Sequence, residues 1–107
     1  MNYRFMRVII FFDLPMETSQ ERKAYGIFHK FLIKNGFIQM QKSVYSKLAI
    51  NRTVLNSIKN LVRKNPPAKG LVQLLEVTEN QFTEIEFIAG ESTSNVLNNN
   101  KRLVRYD

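Results

Sequence analysis

Two rhythms of apolar residues run along this chain, and each predicts a different element. Residues 4–12, RFMRVIIFF, are apolar at nearly every position apart from two arginines. Bounded by Asp13 and Pro15, they predict a strand, and a strand apolar on both faces needs cover on both sides of its sheet. From Thr18 the period changes. Thr18 and Glu21 have the spacing of a capping box, and Ala24, Ile27, Phe28, Phe31 and Leu32 recur at helical intervals up to Asn35-Gly36. A helix over 18–34 follows, with Arg22, Lys23, Lys30 and Lys34 mostly off its apolar stripe.

The stretch GFIQMQKSVYSKLAI (36–50) is rich in β-formers but interrupted at Gln41-Lys42, which predicts two short strands with a bend between them. Asn51 caps a second helix with the stripe Val54, Leu55, Ile58, Leu61 and Val62, and the NPP at 65–67 stops it. That helix carries Arg52, Lys59, Arg63 and Lys64. GLVQLLEV (70–77) predicts a further strand. FTEIEFI (82–88) alternates Ile85 and Phe87 against Glu84 and Glu86, the pattern of a half-exposed strand.

The predicted order is strand, helix, strand, strand, helix, strand, with an extra strand toward the C-terminus. It matches an α+β, ferredoxin-like βαββαβ domain over residues 1–90, in which two helices cover one face of a four-stranded antiparallel sheet, followed by a C-terminal extension over 91–107 with a short strand. Two helices leave the other face open. Since the first strand is apolar on both sides, a second copy of the chain is expected there, giving a homodimer through the sheets.

Composition narrows the chemistry. A chain of 107 residues is one domain. With no Cys and one His, neither a disulfide framework nor a thiolate metal site is available, and any metal would sit on carboxylates and water. No apolar run approaches a membrane span, and the N-terminus lacks the order of a signal peptide, so the expectation is a cytoplasmic protein without a membrane partner. The 16 Lys and Arg outnumber the 9 Asp and Glu, and the imbalance is local: residues 1–69 carry a net +10 and residues 70–107 a net −3. Such a field attracts polyanions, nucleic acid first among them, although a basic surface also serves solubility.

A hydrophobic first strand ending in Asp13, a basic helix with an aromatic stripe, and then NGFIQMQKSVYSKL together resemble the CRISPR-associated protein two family of CRISPR adaptation proteins. The resemblance covers roughly residues 5–90, and its most specific part is GF…QKSVY. It implies a ferredoxin-like homodimer in which a C-terminal strand lies on the partner's sheet. It also implies a scaffold that binds double-stranded protospacer DNA between copies of a larger integrase subunit during spacer acquisition. Family members are further described as metal-dependent endonucleases on RNA or DNA, with the first-strand Asp of both protomers near the dimer axis.

On that resemblance Asp13 is the catalytic residue and the ligand of Mg²⁺ or Mn²⁺, two copies supplying the pair of carboxylates that one chain lacks. The plain alternative is an aspartate that starts the turn before Pro15. Arg7, Arg22, Lys23, Lys42 and Ser43 are the nucleic-acid candidates. For Arg4 and Arg7 a pairing with a glutamate of residues 76–86 would serve equally well. Ser43 and Tyr45 match the SVY position, Tyr45 as a core aromatic. His29 reads as a surface or boundary residue. Glu84 and Glu86, with Lys101, Arg102 and Arg105, are the partner-docking candidates. A stand-alone ferredoxin-like toxin endoribonuclease is the rival reading, and a metabolite-binding regulatory domain a weaker one.

Overall fold

The computed structural model describes residues 5–90. Four strands form one antiparallel sheet: β1 (Met6–Asp13), β2 (Ile38–Gln41), β3 (Val44–Ala49) and β4 (Leu71–Thr78), in the spatial order β2-β3-β1-β4. Helices α1 (Ser19–Lys34) and α2 (Arg52–Arg63) pack on one face, and a short α3 (Glu79–Thr83) follows β4. This is the ferredoxin-like α+β arrangement.

The helices start where their caps dictate. Thr18 Oγ1 accepts from the Glu21 N–H at 3.0 Å and Glu21 Oε1 accepts from the Thr18 N–H at 3.0 Å, a closed capping box. The Thr18 N–H, assisted by that of Glu17, holds the Glu21 carboxyl below its ordinary range. Asn51 Oδ1 caps α2 through the Val54 N–H at 2.8 Å. The buried stripe of α1 runs through Tyr25, Phe28 and Leu32, so Ile27, expected inside, is 61% exposed on the outer face.

Alternation along β1 sorts its side chains. Val8, Ile10 and Phe12 point to the helices and join Phe28, Leu32, Tyr45, Leu55, Ile58 and Val62 in the core. Arg7, Ile9, Phe11 and Asp13 point to the open face, beside Leu48, Ser46 and Val44 of β3 and Val77, Leu75, Gln73 and Leu71 of β4. There Leu48, Leu71 and Leu75 are 38%, 56% and 48% exposed.

The expected strand over 82–88 does not form. Thr78 and Gln81 make a second capping box, each side chain taking the other's backbone N–H at 2.9–3.0 Å, and the chain turns into α3 instead of extending. Arg7 anchors the turn. Its Nε and Nη2 donate to the two carboxylate oxygens of Glu79 at 2.8 and 2.6 Å, its Nη1 reaches Ser46 Oγ at 3.4 Å, and its guanidinium carbon lies 4.3 Å from the centre of the buried Phe82 ring. After α3, residues 84–88 are exposed and carry no strand. Arg4 and the extension over 91–107, including its short strand, lie outside the described residues.

Tyr45 is the deepest polar side chain. It is fully buried, stacks on Phe12 at 5.4 Å, and its hydroxyl is hydrogen-bonded with Nδ1 of the half-buried His29. Burial pushes its phenol up to about 12, with Tyr25 adding to the effect.

Two stability measurements follow. Glu79→Gln leaves the Arg7 cation without its counter-charge, and urea unfolding is expected to show a loss of about 2–4 kcal/mol. For Tyr45 the folded phenol holds its proton above the ordinary value of 10.0, so its contribution is complete below pH 10 and lost as pH rises towards 12. That loss amounts to about 2–3 kcal/mol. Phenolate absorbance should show one of the four tyrosines ionising only at the alkaline end, and Tyr45→Phe should remove that step.

A candidate nucleic-acid site at the rim of the central strand

β1 is hydrogen-bonded along both edges, to β3 and to β4, and Asp13 is its last residue. The carboxylate is exposed on the open-face side of the sheet's rim. Among the described residues no backbone N–H, guanidinium or ammonium group bonds to it. A turn aspartate would be expected to accept from a backbone donor shortly after it, and here the preceding strand, not a side-chain bond, sets the position.

Three segments meet at this end. On the β3 side the Phe12 N–H donates to the Ser43 carbonyl at 3.0 Å, which brings the Lys42–Ser43 turn up against the end of β1. On the β4 side Asp13 is paired with Leu71, and Gly70 approaches so closely that a Cβ there would sit 2.7 Å from the Asp13 carbonyl oxygen and 2.6 Å from Leu14 Cδ2. Gly70 also has φ +98, a conformation that side-chain-bearing residues rarely adopt. Beyond Asp13, Arg22 Nη1 donates to the carbonyls of Glu17 at 2.9 Å and Met16 at 3.2 Å, fixing the connection into α1.

The site residues read from the sequence divide accordingly. Asp13, Lys42 and Ser43 come together at the rim, and Arg22 and Lys23 are exposed at the start of α1. Arg7 is at the opposite end of β1. Its side chain is 8% exposed and is committed to Glu79, so it is a structural cation and not a phosphate contact. Glu76, in the stretch of glutamates considered as partners for Arg4 and Arg7, is instead taken up by Lys59 at 2.6 Å and Arg52 at 3.3 Å on α2, and the Lys59 hydrogen bond leads the effects that lower its pKa. Glu84 and Glu86 are exposed, far along the chain from the rim, and Lys101, Arg102 and Arg105 lie outside the described residues.

Two residues were overlooked in the sequence. Lys69 precedes Gly70 in the loop before β4, is exposed and acts on the Glu21 carboxylate. The signal for it was the PPAKG end of the proline stop (66–70), where a lysine just before a strand is held at that strand's rim. Tyr25, outside the stripe of Ala24, Ile27, Phe28, Phe31 and Leu32, donates its hydroxyl to the Lys42 carbonyl at 2.7 Å.

The chain matches the family model described as CRISPR associated protein Cas2 over residues 6–85. It is similar to a protein of Treponema denticola named CRISPR-associated endoribonuclease Cas2, with 54% identity over 99 residues that cover 92% of this chain and 98% of that one. Proteins of the same name from Streptococcus mutans and Ligilactobacillus salivarius are 44% and 40% identical over 99 residues, covering 92% of this chain and 91% and 98% of theirs.

Gly70→Ala tests how the rim is built. The added methyl group meets backbone at Asp13 and requires a strained φ, so urea unfolding is expected to show a loss of about 2–3 kcal/mol. The backbone amide signals of residues 13–14 should move more than those near Arg7.

Proposed function

The chain belongs to the CRISPR-associated protein Cas2 family, and from that membership and the Asp13 rim we propose that it is a nucleic-acid-binding endonuclease acting as a homodimer, each copy supplying one Asp13 carboxylate. The observation that carries this reading is the state of Asp13: exposed, without a donor among the described residues, and held at the end of a strand paired on both sides. The names of the relatives favour RNA as a substrate. Double-stranded DNA is the second, drawn by the same basic field and bound through its backbone without reading of sequence.

A hard divalent cation, Mg²⁺ or Mn²⁺, fits the donor type, an unshared carboxylate with room for water. It does not fit a single copy, because no three acidic or histidine side chains cluster among the described residues. The second Asp13 of a homodimer makes up the shortfall. When bound, the cation supplies an acidified water and charge neutralisation. The chain's own contribution is positional. Hydrolysis adds water across a P–O bond and builds negative charge on the phosphate oxygens. Lys42 and Ser43 at the turn, with Arg22 and Lys23 on α1, hold the backbone and offset that charge.

A scaffold role in spacer acquisition is the second reading, and the exposed apolar side chains of the open face favour it. Leu48, Leu71 and Leu75 suit a second copy of the chain, and β4 has no strand on its outer edge among the described residues. Residues 84–88, with exposed Ile85, Phe87 and Ile88 beside Glu84 and Glu86, together with Lys101, Arg102 and Arg105, supply contacts to the partner protomer or to a larger integrase subunit. No described helix is long and apolar enough to cross a membrane, and nucleic-acid substrates put the work in the cytoplasm.

Cleavage of single-stranded RNA and double-stranded DNA by wild type and Asp13→Ala, with Mg²⁺, Mn²⁺ or EDTA, tests the nuclease. Metal-dependent cleavage that falls about 100-fold or more in the variant, while salt-sensitive binding survives, is the expected outcome. Equal cutting by both proteins, or by neither, would leave the scaffold alone. Growth arrest on expressing the chain by itself would instead favour the toxin.

A further inference from the structure

The turn that carries Lys42 and Ser43 joins its strands just beyond a register slip. β2 slips between Gln39 and Gln41, so the single pair Gln41–Val44 closes the ladder onto the turn. Other groups add to it. The Tyr25 hydroxyl, projecting from α1, donates to the Lys42 carbonyl at 2.7 Å, and Gln39 Nε2 reaches the same oxygen at 3.4 Å. The next carbonyl, that of Ser43, accepts the Phe12 N–H at 3.0 Å. Two successive carbonyls are thus tied to two different layers, one to α1 and one to β1. The Tyr25 ring is itself fixed, packed against Phe12 at 5.7 Å between centroids.

We propose that Tyr25 is a positioning residue for nucleic-acid binding: by tying the Lys42 carbonyl to α1 it holds the turn in place, so that the Lys42 ammonium group meets a phosphate beside Asp13 in one fixed arrangement. This rests on the reading of the Asp13 rim as the nucleic-acid site. Tyr25 acts through the turn and makes no contact of its own with the ligand. Its effect must therefore vanish when Lys42 has no side chain left to place, which is a stronger requirement than a loss of binding.

The experiment is a double-mutant cycle with Tyr25→Phe, Lys42→Ala and the double variant, using a labelled DNA duplex and a labelled single-stranded RNA of arbitrary sequence over a range of salt. Lys42→Ala is expected to weaken binding about 3- to 10-fold and to lower the salt slope by about one. Tyr25→Phe, which removes one oxygen, is expected to weaken binding about 3-fold. The double variant should bind as Lys42→Ala does. Amide exchange at residues 42–44 should quicken in Tyr25→Phe while exchange elsewhere stays as in wild type, a readout that also covers any general loss of stability.

Tyr25→Phe binding like wild type while Lys42→Ala is impaired would overturn the inference and leave the rim reading standing. Two single effects that multiply in the double variant would also overturn it, since Tyr25 would then act independently of the turn. A Lys42→Ala variant that binds like wild type would sink the rim reading of that residue and the inference with it.

Discussion

The pairing of β1 along both of its edges is the constraint on which the other features depend. A strand bonded to β3 on one side and β4 on the other cannot shift register without breaking two ladders. Its side chains alternate, so Arg7 and Asp13, six positions apart, share a face at opposite ends, about 20 Å from each other. The two charges meet different fates. At the Arg7 end the chain returns from β4, turns into α3 and brings Glu79 and Phe82 over the guanidinium. At the Asp13 end nothing described returns to cover the carboxylate. One strand thus carries a neutralised cation at one end and an exposed anion at the other.

Much of this was legible because periodicity and capping act locally. Strand, helix, two strands, helix and strand followed from apolar spacing, the Thr18–Glu21 box, the Asn51 cap and the proline stop. The misreading at 82–88 came from weighing alternation above capping. Thr78 and Gln81 have the same spacing as Thr18 and Glu21, and Glu79 lies within reach of a buried arginine that needed a partner. Sequence alone left Arg7 divided between a glutamate and a phosphate, because which end of a strand is covered depends on where a later segment returns. The same limit hid Tyr25. It lies beside the apolar stripe read from spacing, and the target of its hydroxyl is a carbonyl 17 positions away, set by how α1 lies across the sheet.

The distribution of acids gives the rim its character. Of the three in residues 1–69, Glu21 is consumed by its own helix start, while Asp13 and Glu17 remain exposed. In the second part of the chain Glu76 is held by Lys59 and Arg52, and Glu79 by Arg7. These pairings remove negative charge from the surface and tie up three charged groups on α2 and β4, in addition to the Arg7–Glu79 pair. Lys23, Lys42 and Lys69 stay exposed around the Asp13 end. The net field there is positive even though a carboxylate sits within it.

That combination has a physical consequence for how a polyanion is handled. A phosphate is drawn to the rim by the lysines and repelled at short range by Asp13, so a bound backbone comes to rest where attraction and repulsion balance. Two Asp13 carboxylates brought together would repel each other as well, and the pair would gain a proton or a cation to relieve the strain of charge. On the proposed dimer, a basic approach with an acidic centre would favour a third component of positive charge between ligand and protein. A uniformly basic rim would bind the same backbone more tightly and would have no place for that component. The exposed aspartate weakens the pull of the rim on a phosphate, and the proposed nuclease chemistry gives that carboxylate a purpose that backbone binding alone does not.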